Sequence, residues 1–157
     1  MTYADKARAL ALIVPFALLG GALGSQYIAG LYPCEMCHWQ RWPHYAAIPL
    51  AILAILTRQK IAPAMLFLSL AMLMILTSGL IGVFHAGVEY GWWNGITDCA
   101  AAPSAGGDFL SDIMDTPVIS CDRPQWELFG ISLAGFNAII SIGAAMAITW
   151  LVTRKTK

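Results

Sequence analysis

The sequence has little charge. Only 11% of its 157 residues are Asp, Glu, Lys or Arg, whereas 59% are hydrophobic, and an average soluble domain is about 25% charged. It also lacks any basic run with interleaved aromatic residues, which argues against a nucleic-acid partner. These proportions indicate a membrane protein.

Cysteine is scarce as well, with four in the chain. Most of the chain is apolar and helix-like, so the thiols are expected to do chemistry and not to replace a core. Cys34 and Cys37 stand three positions apart in the stretch from Tyr32 to Pro43. Such a pair can close a strained disulfide, and at the start of a helix the unpaired N–H groups stabilise a thiolate. The pattern indicates redox chemistry, a metal site or a haem.

The second apolar segment places these thiols relative to the membrane. From Trp42 to Leu56 it has only fifteen residues, whereas a helix needs about 20 to cross a bilayer. Its helix must therefore begin earlier, near Pro33 or Cys34. The thiols are then expected at the membrane surface.

The apolar segments predict an all-α membrane protein, a four-transmembrane-helix bundle forming one domain over residues 1–157. The second of its two outer loops is predicted to carry short amphipathic helices, one at Asp108–Asp115 and one starting at Asp122 as N-cap, with Gln125 completing a capping box. The predicted spans are approximately 9–28, 34–56, 61–84 and 131–152, and the predicted loops are approximately 29–41 and 85–130.

The basic residues predict the orientation. Seven of the nine Lys and Arg residues fall on the side of the two termini, and only Arg41 and Arg123 lie opposite. By the positive-inside rule the termini are predicted to be cytoplasmic and both cysteine-bearing loops to lie outside the cytoplasm. A removable signal peptide ending near Ala22–Gly24 is an alternative for the first span. Its removal would leave the other orientations unchanged.

Three kinds of site other than a redox centre fit the cysteines. Cys34-Glu-Met-Cys37-His38 matches the attachment pattern of c-type haem, although haem would leave Cys99 and Cys121 without a role. Four thiolates can hold a zinc ion. Structural disulfides are common outside the cytoplasm, but the small loop between Cys34 and Cys37 would restrain the unfolded chain little.

The order of the parts favours redox chemistry: a span, Pro-Cys-x-x-Cys-x-x-Gln-Arg, two spans, a long loop with a distant cysteine pair, and a last span. In this order, and in the segments Pro33–Arg41 and Ser120–Leu133, the chain resembles the disulfide-bond formation protein B (DsbB) family of bacterial quinone-linked thiol oxidases. That DsbA, DsbB and quinone keep the periplasm oxidising is an established property of those proteins, not a conclusion from this sequence.

The resemblance implies a protein thiol:quinone oxidoreductase of the bacterial inner membrane. Its partner would be a periplasmic DsbA-like thioredoxin-fold protein, and its cofactor a non-covalent ubiquinone or menaquinone, with no metal. Cys99 and Cys121 would form the loop disulfide, and Cys99 would take the mixed disulfide with the partner. Cys121 would then attack the first pair at Cys34, leaving Cys37 against the quinone.

Two further residues are predicted to bind the quinone together with Cys37. Arg41, one helical turn from Cys37, is a permanent cation that can donate to an oxygen becoming negative on reduction. His85 ends the third predicted span on the same membrane face and could approach the quinone head group. For both residues the alternative is anchoring at the lipid headgroups. His38 departs from the apolar residue usual after the second cysteine of the family.

Three other functions remain open on the sequence. One is a membrane cytochrome attached through Cys34 and Cys37. Another is a non-enzymatic scaffold with structural disulfides. The enzymatic alternative is a vitamin K epoxide reductase-like thiol oxidase, but there the cysteine pair at the membrane edge is expected to open a later span.

Overall fold

The computed structural model describes residues 2–96 and 121–154. Cys99 and the predicted amphipathic helix at Asp108–Asp115 lie outside these residues. The described part consists of helices and one short hairpin. In chain order its elements are α1 (Tyr3–Tyr27), α2 (Glu35–Leu56), α3 (Ile61–Glu89), β1 (Glu127–Leu128), β2 (Ile131–Ser132) and α4 (Leu133–Thr153).

Three of these helices, α1, α3 and α4, are long and apolar enough to cross a membrane. Helix α2 has 22 residues, a length of about 33 Å at roughly 1.5 Å per residue. It falls outside that set because its first half is polar and it contains Pro43 and Pro49. The structure thus shows a helical protein with three apolar helices of membrane-spanning length in the described residues.

The helix ends next to the cysteine loops differ in how well they were predicted. Helix α2 begins at Glu35 with Cys34 as its N-cap, where the sequence predicted a start near Pro33 or Cys34. Helix α3 continues to Glu89, five residues beyond residue 84, where the third span is predicted to end. It ends just before Gly91, whose positive φ of 70° is a conformation that glycine adopts readily.

The predicted helix start at Asp122 with Gln125 is also wrong. Strands β1 and β2 pair there as an antiparallel hairpin, and α4 begins only at Leu133. The two connecting residues, Phe129 and Gly130, both have positive φ, 54° and 74°. A two-residue turn with both φ values positive matches the twist of a hairpin. The hairpin turn therefore determines the local structure, and the capping-box pattern at Asp122 and Gln125 does not start a helix.

Small residues let the helices pack closely. Helix α2 packs against α1 and α3, and α4 packs against α1 and α3. A Cβ added at Gly79 would lie 2.9 Å from the Ile142 side chain, and one added at Gly82 would lie 3.0 Å from the Ala134 carbonyl oxygen. Larger residues would force α3 and α4 apart. This close approach brings polar side chains of the two helices into contact in the centre of the bundle.

Candidate active site: two thiols beside a cavity between helices

The two thiols of the Cys-x-x-Cys motif lie side by side at the first turn of α2. Their Sγ atoms are 2.8 Å apart, and Cys34 Sγ accepts a hydrogen bond from the backbone N–H of Cys37 at 3.2 Å. Cys34 is buried, and Cys37 is half-buried. Cys34 Sγ donates to Cys37 Sγ, and the exposed N–H groups and the dipole of the helix N-terminus favour negative charge on the pair. The pair is therefore arranged for reversible disulfide chemistry.

His85 of α3 contacts the buried thiol. Its Nε2 lies 3.5 Å from Cys34 Sγ and 3.7 Å from a carboxylate oxygen of Glu89, one helical turn further along α3. Glu89 in turn accepts a hydrogen bond from the Ser132 hydroxyl at the start of α4. The side chain of His85 is 1% exposed, so it belongs to the interior of the bundle and not to the headgroup layer. His85 lies at the same end of the bundle as Cys34, and sequence reasoning did not predict their contact.

Cys121, in the segment before β1, lies close to the Cys-x-x-Cys pair. It packs in a buried cluster with Cys34, Met36 and Val88. Gln125, four residues later, donates a hydrogen bond to the Tyr32 carbonyl oxygen, which ties the segment after Cys121 to the segment before Cys34. Three of the four predicted catalytic cysteines thus come together, and Cys99, the fourth, lies outside the described residues.

Arg41 lies between α1 and α2. Its guanidinium donates to the Gln26 side-chain oxygen and, at 3.2 Å, to the Ala22 carbonyl oxygen, and the residue is 8% exposed. The predicted alternative was an anchor that reaches out to the lipid headgroups. In the structure the guanidinium instead points at α1, one helical turn from Cys37.

A cavity of about 170 Å³ opens between α1, α2 and α4. Cys37 and Arg41 line it, and they also line a smaller opening of about 50 Å³ on the outer side, which Cys34 and His85 border. Gly21 and Ala22 of α1 also line the larger cavity. Most of the remaining wall is apolar: Ala17, Leu18, Leu19, Leu133 and Phe136.

Sequence reasoning missed a polar network in the centre of the bundle. Asn137 Nδ2 donates to Gln40 Oε1 at 2.8 Å, and Gln40 Nε2 lies 2.7 Å from His85 Nδ1. Asn137 Oδ1 lies 3.0 Å from His44 Nε2, and Ser78 Oγ lies 2.9 Å from the same nitrogen. One signal was available: Asn137 stands inside a charge-free apolar segment, where a polar residue marks a functional site or a helix contact.

The network fixes which nitrogen of His85 carries the proton. Because Gln40 Oε1 accepts from Asn137, it is the amide nitrogen of Gln40 that faces His85 Nδ1. That ring nitrogen must then be the acceptor, and the neutral ring carries its proton on Nε2. His85 therefore presents an N–H donor to Cys34 Sγ.

The two thiols, together with His85, are also close enough to act as metal ligands. Cys34, Cys37 and His85 bring their ligand atoms within 4.8 Å of one another. The zinc set considered from the sequence used Cys99 and Cys121 in place of His85. For c-type haem the axial ligand would be His38, whose side chain is exposed on α2, away from this cluster.

Comparison with known proteins decides the class of chemistry. The family model described as "Disulfide bond formation protein DsbB" matches residues 4–151. The chain belongs to the DsbB family. It is therefore a thiol oxidoreductase that generates disulfides, in a bacterial membrane. The resemblance inferred from the Cys-x-x-Cys motif and the order of spans is confirmed.

The individual relatives are distant. "Disulfide bond formation protein B" of Ralstonia nicotianae is 26% identical over 153 residues, covering 85% of this chain and 90% of the relative. The protein of the same name from a Polaromonas species is 27% identical over 171 residues, covering 98% and 96%. An uncharacterised protein of Rickettsia prowazekii is 25% identical over 148 residues, covering 88% and 83%. No solved structure gives a significant match.

Proposed function

We propose that this DsbB-family protein is a thiol:quinone oxidoreductase that reoxidises a periplasmic DsbA-like dithiol protein and passes two electrons to ubiquinone or menaquinone. One observation carries the proposal. Cys37 and Arg41 line an apolar cavity, while Cys34, the neighbour of Cys37, packs in a buried cluster with Cys121. The Cys-x-x-Cys pair thus has Cys121 on the side of Cys34 and the cavity on the side of Cys37.

The membrane arrangement belongs to the same proposal. Helix α2 crosses the inner membrane as a fourth span, because it packs between α1 and α3 and is about as long as a hydrocarbon core is thick. The termini are cytoplasmic, since most basic residues lie on their side. The thiols, at the opposite end of α2, then face the periplasm.

Electrons enter through the long loop. The partner's thiolate attacks Cys99 in the Cys99–Cys121 disulfide, and Cys121 leaves as a thiolate. The partner's second thiolate then attacks the partner sulfur that is bonded to Cys99. This releases the oxidised partner and leaves Cys99 as a thiolate. The Cys121 thiolate attacks Cys34 in the Cys34–Cys37 disulfide and frees Cys37 as a thiolate. Cys99, left as a thiolate, attacks Cys121 in the Cys121–Cys34 disulfide, which restores the loop disulfide and frees Cys34. Each exchange breaks one S–S bond and forms another, so the two electrons of the partner dithiol end on the reduced pair of Cys34 and Cys37, and oxidation of that pair back to a disulfide releases them.

The residues at Cys34 and Cys37 support this direction. The Nε2–H of His85 faces Cys34 Sγ and is placed to stabilise the charge that this sulfur acquires when Cys99 displaces Cys34 from Cys121. The N-terminal turn of α2 and the Arg41 cation favour the Cys37 thiolate. Cys34 is the more buried sulfur and lies next to Cys121, whereas Cys37 borders the larger cavity.

The larger cavity fits a quinone ring. Its apolar wall suits a lipid-soluble ring, and Arg41 offers a permanent cation beside Cys37. The guanidinium has five N–H donors and makes two described hydrogen bonds to α1, so it can hold a ring oxygen as well. A bound quinone supplies the acceptor for two electrons and two protons. His85, also predicted to bind the quinone, borders the smaller opening and not the larger cavity.

The activity is tested with the purified protein in detergent under anaerobic conditions. Reduced DsbA-like protein and a short-chain ubiquinone are added, and the quinone absorbance is followed. We expect one hydroquinone for each disulfide made in the partner. An unreduced quinone, with the partner still a dithiol, would refute the proposal, and a Soret band would support the cytochrome alternative.

Arg41→Ala is expected to raise the KM for quinone roughly ten- to hundredfold, because a hydrogen bond from a charged donor contributes about 1.5–3 kcal/mol. The measurement is steady-state quinone reduction at a saturating concentration of reduced partner. Arg58→Ala, which removes an exposed cation beyond the other end of α2, is the matched control and should leave the KM unchanged. An unchanged KM in Arg41→Ala would return Arg41 to a structural role between α1 and α2.

A further inference from the structure

A chain of hydrogen bonds runs from Asn137 of α4 to the buried thiol of Cys34. Asn137 Nδ2 donates to Gln40 Oε1 at 2.8 Å, and Gln40 Nε2 lies 2.7 Å from His85 Nδ1. His85 Nε2 in turn lies 3.5 Å from Cys34 Sγ. The chain therefore leads from α4 to α2, from α2 to α3, and back to the N-cap of α2.

Two backbone carbonyl oxygens fix the direction of this chain. Asn137 Nδ2 donates to the Ser78 carbonyl oxygen at 3.1 Å, and Gln40 Nε2 donates to the Met36 carbonyl oxygen at 3.4 Å. A carbonyl oxygen can only accept a hydrogen bond, so neither amide can turn over without losing one. The two anchors agree, and with both amides in place an N–H of Gln40 faces His85 Nδ1.

The direction of the chain leaves the neutral His85 ring one place for its proton. Nδ1 accepts from Gln40, so the proton is on Nε2, which faces Cys34 Sγ. Glu89 also lies near Nε2, but at 3.7 Å it is beyond hydrogen-bond distance. The chain that starts at Asn137 is therefore the set of hydrogen bonds that makes His85 a donor to Cys34.

We propose, on the basis of the thiol exchange proposed above, that Asn137 is a positioning residue for Cys34. It holds the Gln40 amide in one orientation, and Gln40 holds the His85 proton on the side of Cys34. Without Asn137 the Gln40 amide can turn its oxygen to His85. The ring then carries its proton on Nδ1 and offers Cys34 a lone pair in place of a donor.

The step that depends on this donor is the release of Cys34 from Cys121. The Cys99 thiolate attacks Cys121, the S–S bond between Cys99 and Cys121 forms, and the bond between Cys121 and Cys34 breaks. The electron pair of the broken bond stays on Cys34, which leaves as a thiolate. A sulfur whose negative charge is stabilised leaves faster, so the Nε2–H of His85 speeds this step.

Two substitutions break the chain, and a third is the matched control. Asn137→Leu keeps the shape of the side chain and removes its donor. Gln40→Met keeps the length of the side chain and breaks the chain one link nearer to His85. In the control, Ser141→Ala, the changed residue is fully buried one turn further along α4 and donates to Asn137 Oδ1 at 3.1 Å. The control thus leaves the bond from Asn137 Nδ2 to Gln40 in place.

The proton on His85 is located by nitrogen NMR of the full-length protein, with isotope-labelled histidine, in lipid bilayers. The chain has three histidines, and the loss of signals in His85→Ala assigns those of His85. We expect the proton on Nε2 alone in the wild type and in Ser141→Ala. In Asn137→Leu and Gln40→Met we expect a second set of signals, from a ring with its proton on Nδ1.

The release of Cys34 is measured without quinone, because Asn137 and Gln40 also line the larger cavity. Quinone-free oxidised protein is mixed with one equivalent of reduced DsbA-like partner and quenched with acid at increasing times, and the free thiols are alkylated. Asn137→Leu and Gln40→Met should release Cys34 from Cys121 roughly tenfold more slowly, the effect of one hydrogen bond. Ser141→Ala should release it at the wild-type rate.

A wild-type His85 with its proton on Nδ1 would overturn the proposal. So would an Asn137→Leu protein that keeps the proton on Nε2 alone, because Glu89 or another neighbour would then determine its place. Unchanged release of Cys34 despite a moved proton, or equal slowing in Ser141→Ala, would also overturn it. If the protein failed to reduce quinone, the proposed function would fail, whereas both measurements on Asn137 need no quinone and would still decide its role.

Discussion

Cys37→Ser is expected to abolish quinone reduction. Cys37 is the sulfur of the motif that lines the larger cavity beside Arg41, and a serine hydroxyl can neither form the disulfide with Cys34 nor deliver electrons. The remaining rate should fall to that of quinone with buffer alone. The measurement is quinone absorbance in the presence of reduced partner, combined with alkylation of the free thiols.

The control for this variant is His38→Ala, which changes the next residue, an exposed side chain outside the cavity. It should turn over like the wild type, whereas a cytochrome bound through His38 would lose its axial ligand. Undiminished quinone reduction by Cys37→Ser would remove Cys37 from its place beside the acceptor.

Cys121→Ser should abolish oxidation of the protein dithiol while leaving the other half of the reaction intact. Without Cys121 no loop disulfide exists for the partner to attack, and the buried cluster has no thiol from the second loop to attack Cys34. Cys34 and Cys37 should still be held as a disulfide when quinone is added. Thiol trapping of Cys34 and Cys37, beside an assay of partner oxidation, separates the two halves.

Cys99→Ala should give the same loss of turnover, since Cys99 is the proposed entry point for the partner. Glu127→Gln, on the exposed face of the hairpin, is the control and should retain turnover with the partner. Full activity with the protein dithiol in either cysteine variant would contradict the proposed route. A Cys34–Cys37 pair that stayed reduced in Cys121→Ser with quinone present would contradict the independence of the two halves.

The comparison of predicted and observed elements shows where local signals suffice. The start of α2 at Glu35 could be predicted from the number of residues that a helix needs to cross a bilayer. That requirement concerns one segment alone and does not depend on contacts with other helices. The predicted helix start at Asp122 was wrong because a capping residue only weakly favours a helix. The turn at Phe129 and Gly130, with positive φ at both residues, closes a hairpin there instead. Helix α3 continues past residue 84, where the charge-free segment ends, because an absence of charge marks an apolar run and not the full length of a helix.

The residues of the site also fall into two groups, those that local spacing predicts and those that only helix packing brings together. Cys34, Cys37 and Arg41 could be found from their spacing, because residues one turn apart on a helix share a face whatever surrounds them. Gln40, His44 and Asn137 could not be combined into one network from the sequence. Their contacts join positions as far as 97 residues apart, and they depend on how each helix is rotated about its axis.

The sequence by itself determined that the protein is a helical membrane protein with a thiol pair at the start of a helix, because hydrophobic length and residue spacing act within one segment. Only the tertiary structure decided that Cys121 packs with Cys34, that Arg41 points at α1, and that His85 presents its Nε2–H to Cys34. Those features depend on close packing between helices, where small residues such as Gly79 and Gly82 set the distances and the partners of each polar group.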